Sequence, residues 1–498
     1  MQHYLVPLLG IIVVFATVLA IVGPSPRKAA HATTGDWTTY LGGNAHTGFN
    51  AAETAINPTS ASSLQLLWKT QTPGKISSEP LLVNGVLYWG DWAGTMHATN
   101  PSTGKDIWTA SLGSRLGSCG SQTLGIVGSA AYAAESINGV STSVIYVAGG
   151  QSNLYALNAQ TGAIIWQINF GTSSAEIIYG SPTVYKGSVY IGVSSTGDCP
   201  LIQGAVYQVN ASTGVIQNTF DVVPNGCIGA GVWDTPTIDE TTGMLYFGTG
   251  NADPLHCLTT EPLGSAIVEL NASNLSLVSK WQFTPTGTTD ADVGSTPTLF
   301  NATIGGVSHA MVGLESKDGN YYAFDRTNIS AGPLWKVAIS VAGRNPELGL
   351  GSISSSAYDG TRLYVAGGNT TINGTSCQGS LRALDPNTGN FLWEVCRNNP
   401  ALDSVIAVPG LAVVGAGNTI IMVNSATGSI VFSYTDTDSN AKFWGSATIS
   451  NGMLFSGSRS GDLFAFALPN GPLPSPSPST SPTAVSYTHL RAHETGRN

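Results

Sequence analysis

The sequence predicts an all-β fold: an eight-bladed β-propeller of four-stranded antiparallel blades, whose last blade is closed by an N-terminal strand. The first observation is a repeated unit, clearest in Leu154 to Trp166, which reads Leu-Tyr-Ala-Leu-Asn-Ala-Gln-Thr-Gly-Ala-Ile-Ile-Trp. The second is composition, because 60 glycines with only 10% charged residues suit short strands and tight turns. The third is a lone strand that precedes the first full repeat.

Each repeat has the pattern of a β-hairpin. Leu154 to Leu157 alternates like a strand, and Asn158 with Gly162 supplies the turn before a second apolar run. Gly162 allows a positive φ that a residue with a Cβ would resist. The run ends in Trp166, whose large apolar ring must be buried outside its own hairpin. We therefore expect each such Trp to pack on the neighbouring repeat.

The first residues concern location rather than fold. Leu5 to Val22 is an apolar run without charge, and Ala30-His31-Ala32 offers small residues where a signal peptidase could cut. No positive residue precedes the run, and its length also suits an uncleaved anchor. We expect residues 1–32 to be a signal peptide or an N-terminal membrane anchor. The protein is then extracytoplasmic, either secreted or tethered to the outer face of the membrane.

The lone strand and the last hairpin complement each other. Leu64 to Gln71, with Trp68, lacks the rest of a repeat, and Trp444 to Leu468 lacks an outer strand. If the first completes the second, the ring closes and no sheet edge remains free. The complete repeats between them carry these turn and outer-strand markers: Asn100–Gly104 with Trp108, Asn158–Gly162 with Trp166, Asn210–Gly214 with Phe220, Asn271 with Trp281, Asp325 with Trp335, Asp385–Gly389 with Trp393, and Asn424–Gly428 with Phe432.

The C-terminal part lies outside the repeats. Residues 469–485 alternate Pro and Ser and read as an extended, solvated linker. Residues 486–498 change composition abruptly and resemble translated adapter sequence, so they are excluded from the fold prediction. The propeller prediction therefore covers residues 36–468.

The net charge argues against one class of partner. A formal charge of -10 and an isoelectric point near 5.2 repel a phosphate backbone. No basic run interleaved with aromatic residues is present. We expect no nucleic-acid partner, and the sequence predicts no oligomeric state.

If the protein is exported, its six cysteines lie in an oxidising compartment where disulfides form. Cys377 and Cys396 lie equally far from their turn, as do Cys199 and Cys227 from theirs, so each pair could bridge its own hairpin. Cys119 and Cys257 are left to pair across blades, to remain free thiols or to serve a site. No spacing typical of zinc or covalent haem ligands is present.

The repeated Ala-Leu-Asn-x-x-Thr-Gly-x-x-x-Trp is similar to the repeat of pyrroloquinoline-quinone (PQQ) propellers, and the resemblance covers Asp36 to Leu468. That superfamily includes methanol, alcohol and polyvinyl-alcohol dehydrogenases, and also scaffolds without the quinone. The middle of this chain looks nearest to the polyvinyl-alcohol dehydrogenases. The resemblance implies a propeller that holds PQQ and Ca²⁺.

The same resemblance implies site residues. Gly229 to Trp233 resembles the approach to the Trp on which the quinone lies, and Phe247 to Pro254 resembles the segment that contributes a calcium ligand, here Asn251. Lys317 leads a stretch similar to the one that contacts the quinone oxygens. The catalytic base corresponds to Asp290, or to Asp292 if the gap falls differently.

Two further positions match the family loosely. The family's alcohol dehydrogenases cap the quinone with adjacent cysteines, whereas Cys119 is followed by Gly120. Asp198 is the nearest match to a second calcium ligand. Each candidate also has a structural explanation: Trp233 as inter-blade core, Asn251 as a turn residue, Lys317 as a hairpin tip, and Asp290 and Asp292 as exposed loop residues.

Two hypotheses follow. In the first, the protein is an exported quinoprotein-like dehydrogenase that oxidises a small or polymeric alcohol with PQQ and Ca²⁺ and passes the electrons to an external acceptor. No Cys-x-x-Cys-His is present, so this chain carries no covalent haem for onward transfer. In the alternative, it is a non-catalytic extracellular propeller that binds a polymer, peptide or protein partner.

Overall fold

The structure is a computed structural model that describes residues 32–33, 35–120, 122–171, 174–251, 253, 261–283, 292–471 and 473–474. Eight four-stranded antiparallel blades surround one axis, so the predicted fold class is confirmed. In blades 1 to 7 the innermost strand comes first in the chain and the outermost strand last. The strand bounds of each blade follow.

The first four blades precede Gly294. Blade 1 consists of Leu81–Val83, Val86–Gly90, Thr95–Thr99 and Asp106–Ser111. Blade 2 consists of Ala131–Ile137, Val140–Gly149, Asn153–Asn158 and Ile164–Asn169. Blade 3 consists of Thr183–Tyr185, Ser188–Ser195, Ala205–Asn210 and Ile216–Asp221. Blade 4 consists of Thr237–Asp239, Met244–Gly248, Ala266–Asn271 and Leu277–Gln282.

The remaining blades complete the ring. Blade 5 consists of Thr298–Ile304, Val307–Glu315, Asn320–Asp325 and Trp335–Ala338. Blade 6 consists of Ala357–Tyr358, Leu363–Gly367, Gly379–Leu384 and Phe391–Arg397. Blade 7 consists of Ile406–Val408, Leu411–Ala416, Thr419–Asn424 and Ile430–Thr435. Blade 8 consists of Thr448–Ser450, Met453–Gly457, Asp462–Ala467 and the N-terminal Gln65–Gln71.

Short additions decorate the loops. Glu176–Ile177 pairs with the second strand of blade 3, and two small hairpins join Arg115–Leu116 to Thr123–Leu124 and Thr370–Ile372 to Thr375–Cys377. The short 3₁₀ helices are Tyr40–Gly42, Ala61–Ser63, Gly150–Ser152, Ile329–Ala331 and Pro346–Leu348.

The N-terminal strand closes the ring, as predicted. Gln65–Gln71 runs antiparallel to Asp462–Ala467, with Gln71 opposite Asp462. The Lys69 Nζ lies 3.1 Å from carboxylate oxygens of both Asp436 and Asp462. The closure therefore combines strand pairing with a shared cation between blades 7 and 8.

The outer-strand tryptophans pack on the turns of the next blade, as predicted. The Trp108 Nε1 donates to the Ala159 carbonyl oxygen at 3.0 Å, and a Cβ on Gly162 would come within 2.5 Å of the indole. Gly162 has a φ of 71°, so glycine meets both a conformational and a steric demand. The same indole-to-carbonyl bond joins Trp68 to Pro101, Trp166 to Ala211, Trp335 to Pro386 and Trp393 to Ser425.

Backbone-to-hydroxyl bonds link successive blades around most of the axis. Just before six of the eight innermost strands, an N–H donates to the side-chain hydroxyl at the equivalent position of the following blade. These bonds run from Glu79 to Ser129, Ser129 to Ser181, Ser181 to Thr235, Thr235 to Thr296, Thr296 to Ser355, and Ser355 to Ser404. We call the eight equivalent residues the axial ring: Glu79, Ser129, Ser181, Thr235, Thr296, Ser355, Ser404 and Ser446. All of them except Glu79 border an axial cavity of about 190 Å³.

A segment before the closing strand crosses the axis. Residues 37–50 run along the inner strands, which donate hydrogen bonds to several carbonyl oxygens of the segment. Tyr40 reaches the axial cavity, where its hydroxyl lies 2.7 Å from the Ser404 Oγ. The inner-strand bonds run from Tyr132 to Thr38, Ile238 to Asn44, Leu299 to Ala45, Tyr358 to Thr47 and Ala407 to Gly48.

The cysteines confirm one predicted bridge and correct another. Cys377 bonds to Cys396, but Cys199 bonds to Cys119 and not to Cys227. The Cys199–Cys227 prediction is wrong because the strand ladder of this hairpin ends at Ala205 and Asp221. Cys199 and Cys227 both lie beyond the ladder, where equal distance from the turn no longer makes residues face each other.

Several predictions fall outside the described residues. These are the signal peptide or anchor up to His31, most of the Pro/Ser linker, residues 486–498, Cys257 and Asp290. Among the residues that the structure does describe, no helix is long and apolar enough to span a membrane.

Candidate functional site

The axis determines which side chains meet. The residue two positions before each axial ring residue borders the axial cavity, and these residues are Ser77, Val127, Tyr179, Trp233, Gly294, Ile353, Leu402 and Trp444. Loops that link successive blades, and loops between second and third strands, therefore converge on one face of the ring. The candidate site lies on this face, over blades 3 to 5.

A pocket of about 260 Å³ brings the sequence candidates together. Trp233, Asn251, Asp292, Lys317 and Asp198 all line it, although they come from different blades. Asp290 lies outside the described residues. The remaining lining residues are Tyr179, Ser194, Ser195, Gly197, Leu201, Gly231 and Gly250.

Asp292 is the centre of the polar network in this pocket. Its Oδ2 lies 2.7 Å from the Lys317 Nζ, and both side chains are nearly buried, with exposed fractions of 13% and 11%. Its Oδ1 accepts a hydrogen bond of 2.6 Å from the Asn251 backbone N–H. The Lys317 N–H donates to the Asp292 carbonyl oxygen at 3.1 Å. The carboxylate is therefore held in a fixed orientation by groups from two neighbouring blades.

Trp233 provides a flat apolar surface beside this network. The Lys317 Nζ lies 5.4 Å from the centre of the indole. The next blade has Gly294 at the equivalent position, and a Cβ there would come within 1.8 Å of the indole. Trp233 can occupy this position only because its neighbour is glycine.

Next to Trp233 in the chain is Asp234, whose side chain is buried. Its Oδ2 accepts a hydrogen bond of 2.6 Å from the Gly248 backbone N–H, which joins the loop to the second strand of blade 4. Burial raises the pKa of Asp234 well above its usual range, although the Gly248 bond acts in the opposite direction. We assign Asp234 to loop support and not to the pocket, which it does not line.

The disulfide Cys119–Cys199 stands at the edge of the pocket. Cys199 follows Asp198, and a Cβ on Gly197 would come within 2.5 Å of the Cys119 Sγ. Cys119 itself is not among the residues that line the pocket. The bridge joins the small hairpin after blade 1 to the loop that carries Asp198.

The pocket contains oxygen ligands of the kind that bind a hard cation. Asp198 and Asn251 offer a carboxylate and an amide oxygen, which are the ligand types that Ca²⁺ prefers. Within the described residues, no group of three or more His, Cys, Asp or Glu side chains is arranged to hold a metal. Because Ca²⁺ takes about six to eight oxygen ligands, these side chains would need a bound ligand or water to complete the shell.

The glycines of the pocket form a cradle that a Cβ would fill. A Cβ on Gly231 would lie 2.3 Å from the Ser194 Oγ, and one on Gly250 would lie 3.0 Å from the Asp292 Oδ1. A flat indole, a nearby ammonium group and open backbone fit a planar, oxygen-rich ligand such as PQQ.

Sequence reasoning missed Tyr179, Ser194 and Ser195. Tyr179 is the blade 3 equivalent of Trp233, so aligning the repeats on the axial ring would have identified it. Burial raises the pKa of Tyr179 to about 12, while the Arg115 charge acts in the opposite direction. The Tyr179 phenol is therefore protonated at neutral pH. The two serines carry no comparable signal.

The fold and the pocket define an eight-bladed propeller with a polar pocket at one end of its axis. The family described as glucose/ethanol/alcohol dehydrogenase, β-propeller domain, matches residues 37–344, and the chain belongs to this family. A second family, described as outer membrane protein assembly factor BamB, matches residues 301–491.

Individual proteins show the same relationship. The chain is 26% identical over 364 residues to quinohemoprotein alcohol dehydrogenase ADH IIB of Pseudomonas putida, matching 65% of this chain and 51% of that protein. It is 25% identical over 455 residues to polyvinylalcohol dehydrogenase of a Sphingopyxis species, matching 79% of this chain and 65% of that protein. The matched part is thus less than two thirds of either relative.

A solved structure shares the fold. Quinohemoprotein alcohol dehydrogenase from Comamonas testosteroni superposes with a TM-score of 0.71, covering 92% of this chain and 84% of that chain. Sequence identity in that superposition is 18%, so the similarity concerns the fold alone.

Proposed function

We propose that this protein is a dehydrogenase that oxidises an alcohol with PQQ and Ca²⁺ and passes the electrons to an external acceptor. The observation that carries the proposal is the pocket, where a flat indole, a lysine and a fixed carboxylate meet beside oxygen ligands. The match to the alcohol dehydrogenase propeller family supports the same reaction class.

Each side chain has a role that its contacts support. Trp233 would carry the planar ring system, and Lys317 would place a positive charge near the ring oxygens. Asn251 and Asp198 would hold the Ca²⁺. When bound, PQQ supplies a carbonyl that accepts hydride, and Ca²⁺ polarises that carbonyl.

Asp292 is the proposed base. A base must be oriented toward the hydroxyl proton of the alcohol, and the bonds from Lys317 and Asn251 fix the Asp292 carboxylate at the pocket wall. A carboxylate oxygen of Asp292 would take the hydroxyl proton while the carbon-bound hydride leaves the alcohol. Asp290 is the alternative base and lies outside the described residues.

The test begins with the purified protein, PQQ and Ca²⁺. Wild type should bind the quinone and reduce an artificial dye in the presence of an alcohol. Asp292→Asn should keep quinone binding but lose turnover by about 10² to 10⁴-fold, because the variant keeps the shape and lacks the base. Asp221→Asn is the matched control, since Asp221 is exposed at the end of blade 3.

Two outcomes would contradict the proposal at different levels. Full turnover by Asp292→Asn would move the base to another residue, with Asp290→Asn as the next variant. If wild type neither binds the quinone nor reduces the dye, the redox function as a whole is rejected.

The scaffold function remains a second candidate because residues 301–491 match the BamB description. A non-catalytic propeller would present the same face to a polymer, peptide or protein and would neither bind PQQ nor reduce the dye. The reconstitution assay therefore separates the two functions directly.

The two described disulfides support an extracytoplasmic location. Cys119–Cys199 and Cys377–Cys396 are the kind of structural disulfides that persist in oxidising compartments and are rare in the cytosol. We propose that the protein works outside the cytoplasm, where the alcohol and the acceptor would reach the open face of the ring.

A further inference from the structure

A second cleft lies on the same face of the ring, between blades 8 and 1. Its volume is about 690 Å³, within the usual range of about 300 to 1,000 Å³ for small-molecule sites. The loops that line it are equivalent to those of the pocket over blades 3 to 5. Its lining residues are Pro73, Gly74, Lys75, Trp92, Ala93, Ser114, Gln122, Thr123 and Arg459.

Two cations share this cleft. The Lys75 Nζ lies 4.7 Å from the centre of the Trp92 ring and 5.9 Å from that of Trp444. The Arg459 guanidinium carbon lies 4.4 Å from the same Trp444 ring. Lys75 and Arg459 thus both approach the Trp444 indole, and the charge of Arg459 acts unfavourably on the Lys75 ammonium group.

Nothing acidic in the described part of the chain neutralises this pair. Neither Lys75 nor Arg459 forms an ion pair with a described carboxylate, and no Asp or Glu lines the cleft. Burial lowers the pKa of Lys75, and the charge of Arg459 lowers it further. A protein with a formal net charge of -10 thus holds two adjacent cations without a described counterion.

The surrounding bonds keep the pair in place. The Trp92 Nε1 donates to the Ser77 Oγ at 2.7 Å, and the Trp92 backbone N–H donates to the Lys75 carbonyl oxygen at 2.8 Å. The Lys75 Nζ donates to the Gln122 Oε1 at 3.1 Å, and the Arg459 backbone N–H donates to a carbonyl oxygen at 2.8 Å. Trp92 and the Lys75 ammonium group are therefore held in place, and the Arg459 guanidinium is positioned by its contact with the Trp444 ring.

We propose that this cleft binds the carboxylate of an organic ligand. An anion between Lys75 and Arg459 would relieve their repulsion, and a guanidinium can bind a carboxylate through two parallel hydrogen bonds. The cleft is much larger than a bare inorganic anion needs. Trp92, Pro73 and Ala93 offer apolar surface for the rest of the ligand.

The test uses calorimetry with the purified full chain in the absence of quinone and alcohol, so its result is independent of the proposed dehydrogenase activity. The probes are 2-naphthoate, its uncharged amide 2-naphthamide, and inorganic phosphate. Wild type should bind 2-naphthoate saturably, and both 2-naphthamide and phosphate should bind at least about tenfold more weakly, because each lacks one half of the recognition.

Variants assign the binding to the cleft. Arg459→Gln and Lys75→Gln should each weaken 2-naphthoate binding by about 10 to 100-fold, the loss expected for one charge-assisted hydrogen bond. Lys105→Gln is the matched control, since Lys105 is exposed on a turn of blade 1. Having two variants keeps the test valid if one of them fails to fold, which circular dichroism would reveal.

Three outcomes would overturn the proposal. Equal affinity for 2-naphthamide would show that charge is not recognised, and equal affinity for phosphate would show that the organic body is not. Unchanged affinity in the folded glutamine variants would place the binding elsewhere.

Discussion

At the residue scale, one glycine decides whether an indole can lie at the top of the axis. Trp233 and Gly294 occupy equivalent positions in blades 4 and 5, and a Cβ on Gly294 would come within 1.8 Å of the Trp233 ring. The overlap involves the end of a rigid bicyclic ring, which can escape only by changing rotamer. The flat surface of the pocket thus depends on the absence of one methyl group in the next blade.

The first prediction follows from this contact. Gly294→Ala should displace the indole and weaken PQQ binding by at least about tenfold, because the planar support is lost. Fluorescence quenching during PQQ titration measures the effect. Gly43→Ala is the control, since a Cβ there meets nothing within 4 Å and Gly43 has an extended φ of -179°. Equal affinity in Gly294→Ala and wild type would contradict the role of Trp233.

A second residue, His46, links stability to pH. It is fully buried, its Nδ1 lies 2.8 Å from the Thr237 Oγ1, and its Nε2 has no described partner. Burial lowers the pKa of His46 from the usual 6.5 to about 3. Between these two pH values His46 is protonated in the unfolded chain and neutral in the folded chain. The free energy of unfolding therefore decreases as the pH falls.

His46→Asn should remove that dependence. Wild type should lose about 2 kcal/mol more unfolding free energy than the variant between pH 7 and pH 5, since 1.4 kcal/mol corresponds to about one pH unit. Asparagine tolerates the positive φ of 47° at this position better than most residues. Denaturant unfolding at both pH values gives the comparison, and parallel curves for the two proteins would reject the assignment to His46.

At the element scale, the recurring hairpin is the unit of construction. Its turn supplies a carbonyl and a glycine, and the preceding blade supplies the Trp that packs on both. In blade 7 Phe432 takes this place and lacks the indole N–H donor, and at the same register blades 3 and 4 carry Asn218 and Ser279. Where the Trp is present, the motif itself therefore joins one blade to the next.

The third prediction separates conformation from packing in this motif. Gly162→Ala should cost about 2 to 4 kcal/mol of unfolding free energy, because the new Cβ combines a left-handed φ with overlap of Trp108. Gly139→Ala should cost only about 1 to 2 kcal/mol, since Gly139 has a φ of 78° but a Cβ there meets nothing within 4 Å. Equal losses in urea unfolding would mean that the indole contact contributes nothing.

At the scale of the whole molecule, the ring depends on two segments that precede the first blade. Gln65–Gln71 completes blade 8, and residues 37–50 bond to inner strands around the axis. Both segments come early in the chain and contact late blades. The ring therefore cannot close until the last blade has formed, which makes closure a long-range step in folding.

The fourth prediction concerns this closure. Lys69→Gln should leave the Asp436 and Asp462 carboxylates, with side-chain exposures of 2% and 4%, without their shared cation. We expect a loss of about 1 to 3 kcal/mol, less than for a fully buried pair because the Lys69 side chain is 34% exposed. Thermal unfolding measures it, with Lys105→Gln as the control. A change no larger than that control would show that the cation does not hold the closure.

The sequence by itself determined the repeated hairpin, the number of blades and the strand that closes the ring. These features follow from local signals: alternation, turn residues and an aromatic residue in the strand after each turn. It also indicated Trp233, Asn251, Asp292 and Lys317 through their resemblance to a known family, without showing that they meet.

Only the tertiary structure decided which loops share a cavity and which cysteines face each other. Asp292 and Lys317 are joined because adjacent blades direct their loops toward one axis, and Cys199 meets Cys119 because it lies beyond its own ladder. The cation pair of Lys75 and Arg459 had no sequence signal, since the two residues belong to the first and last blades. Hydrophobic periodicity is a property of a few neighbouring residues, whereas a site depends on distances that exist only after the ring has closed.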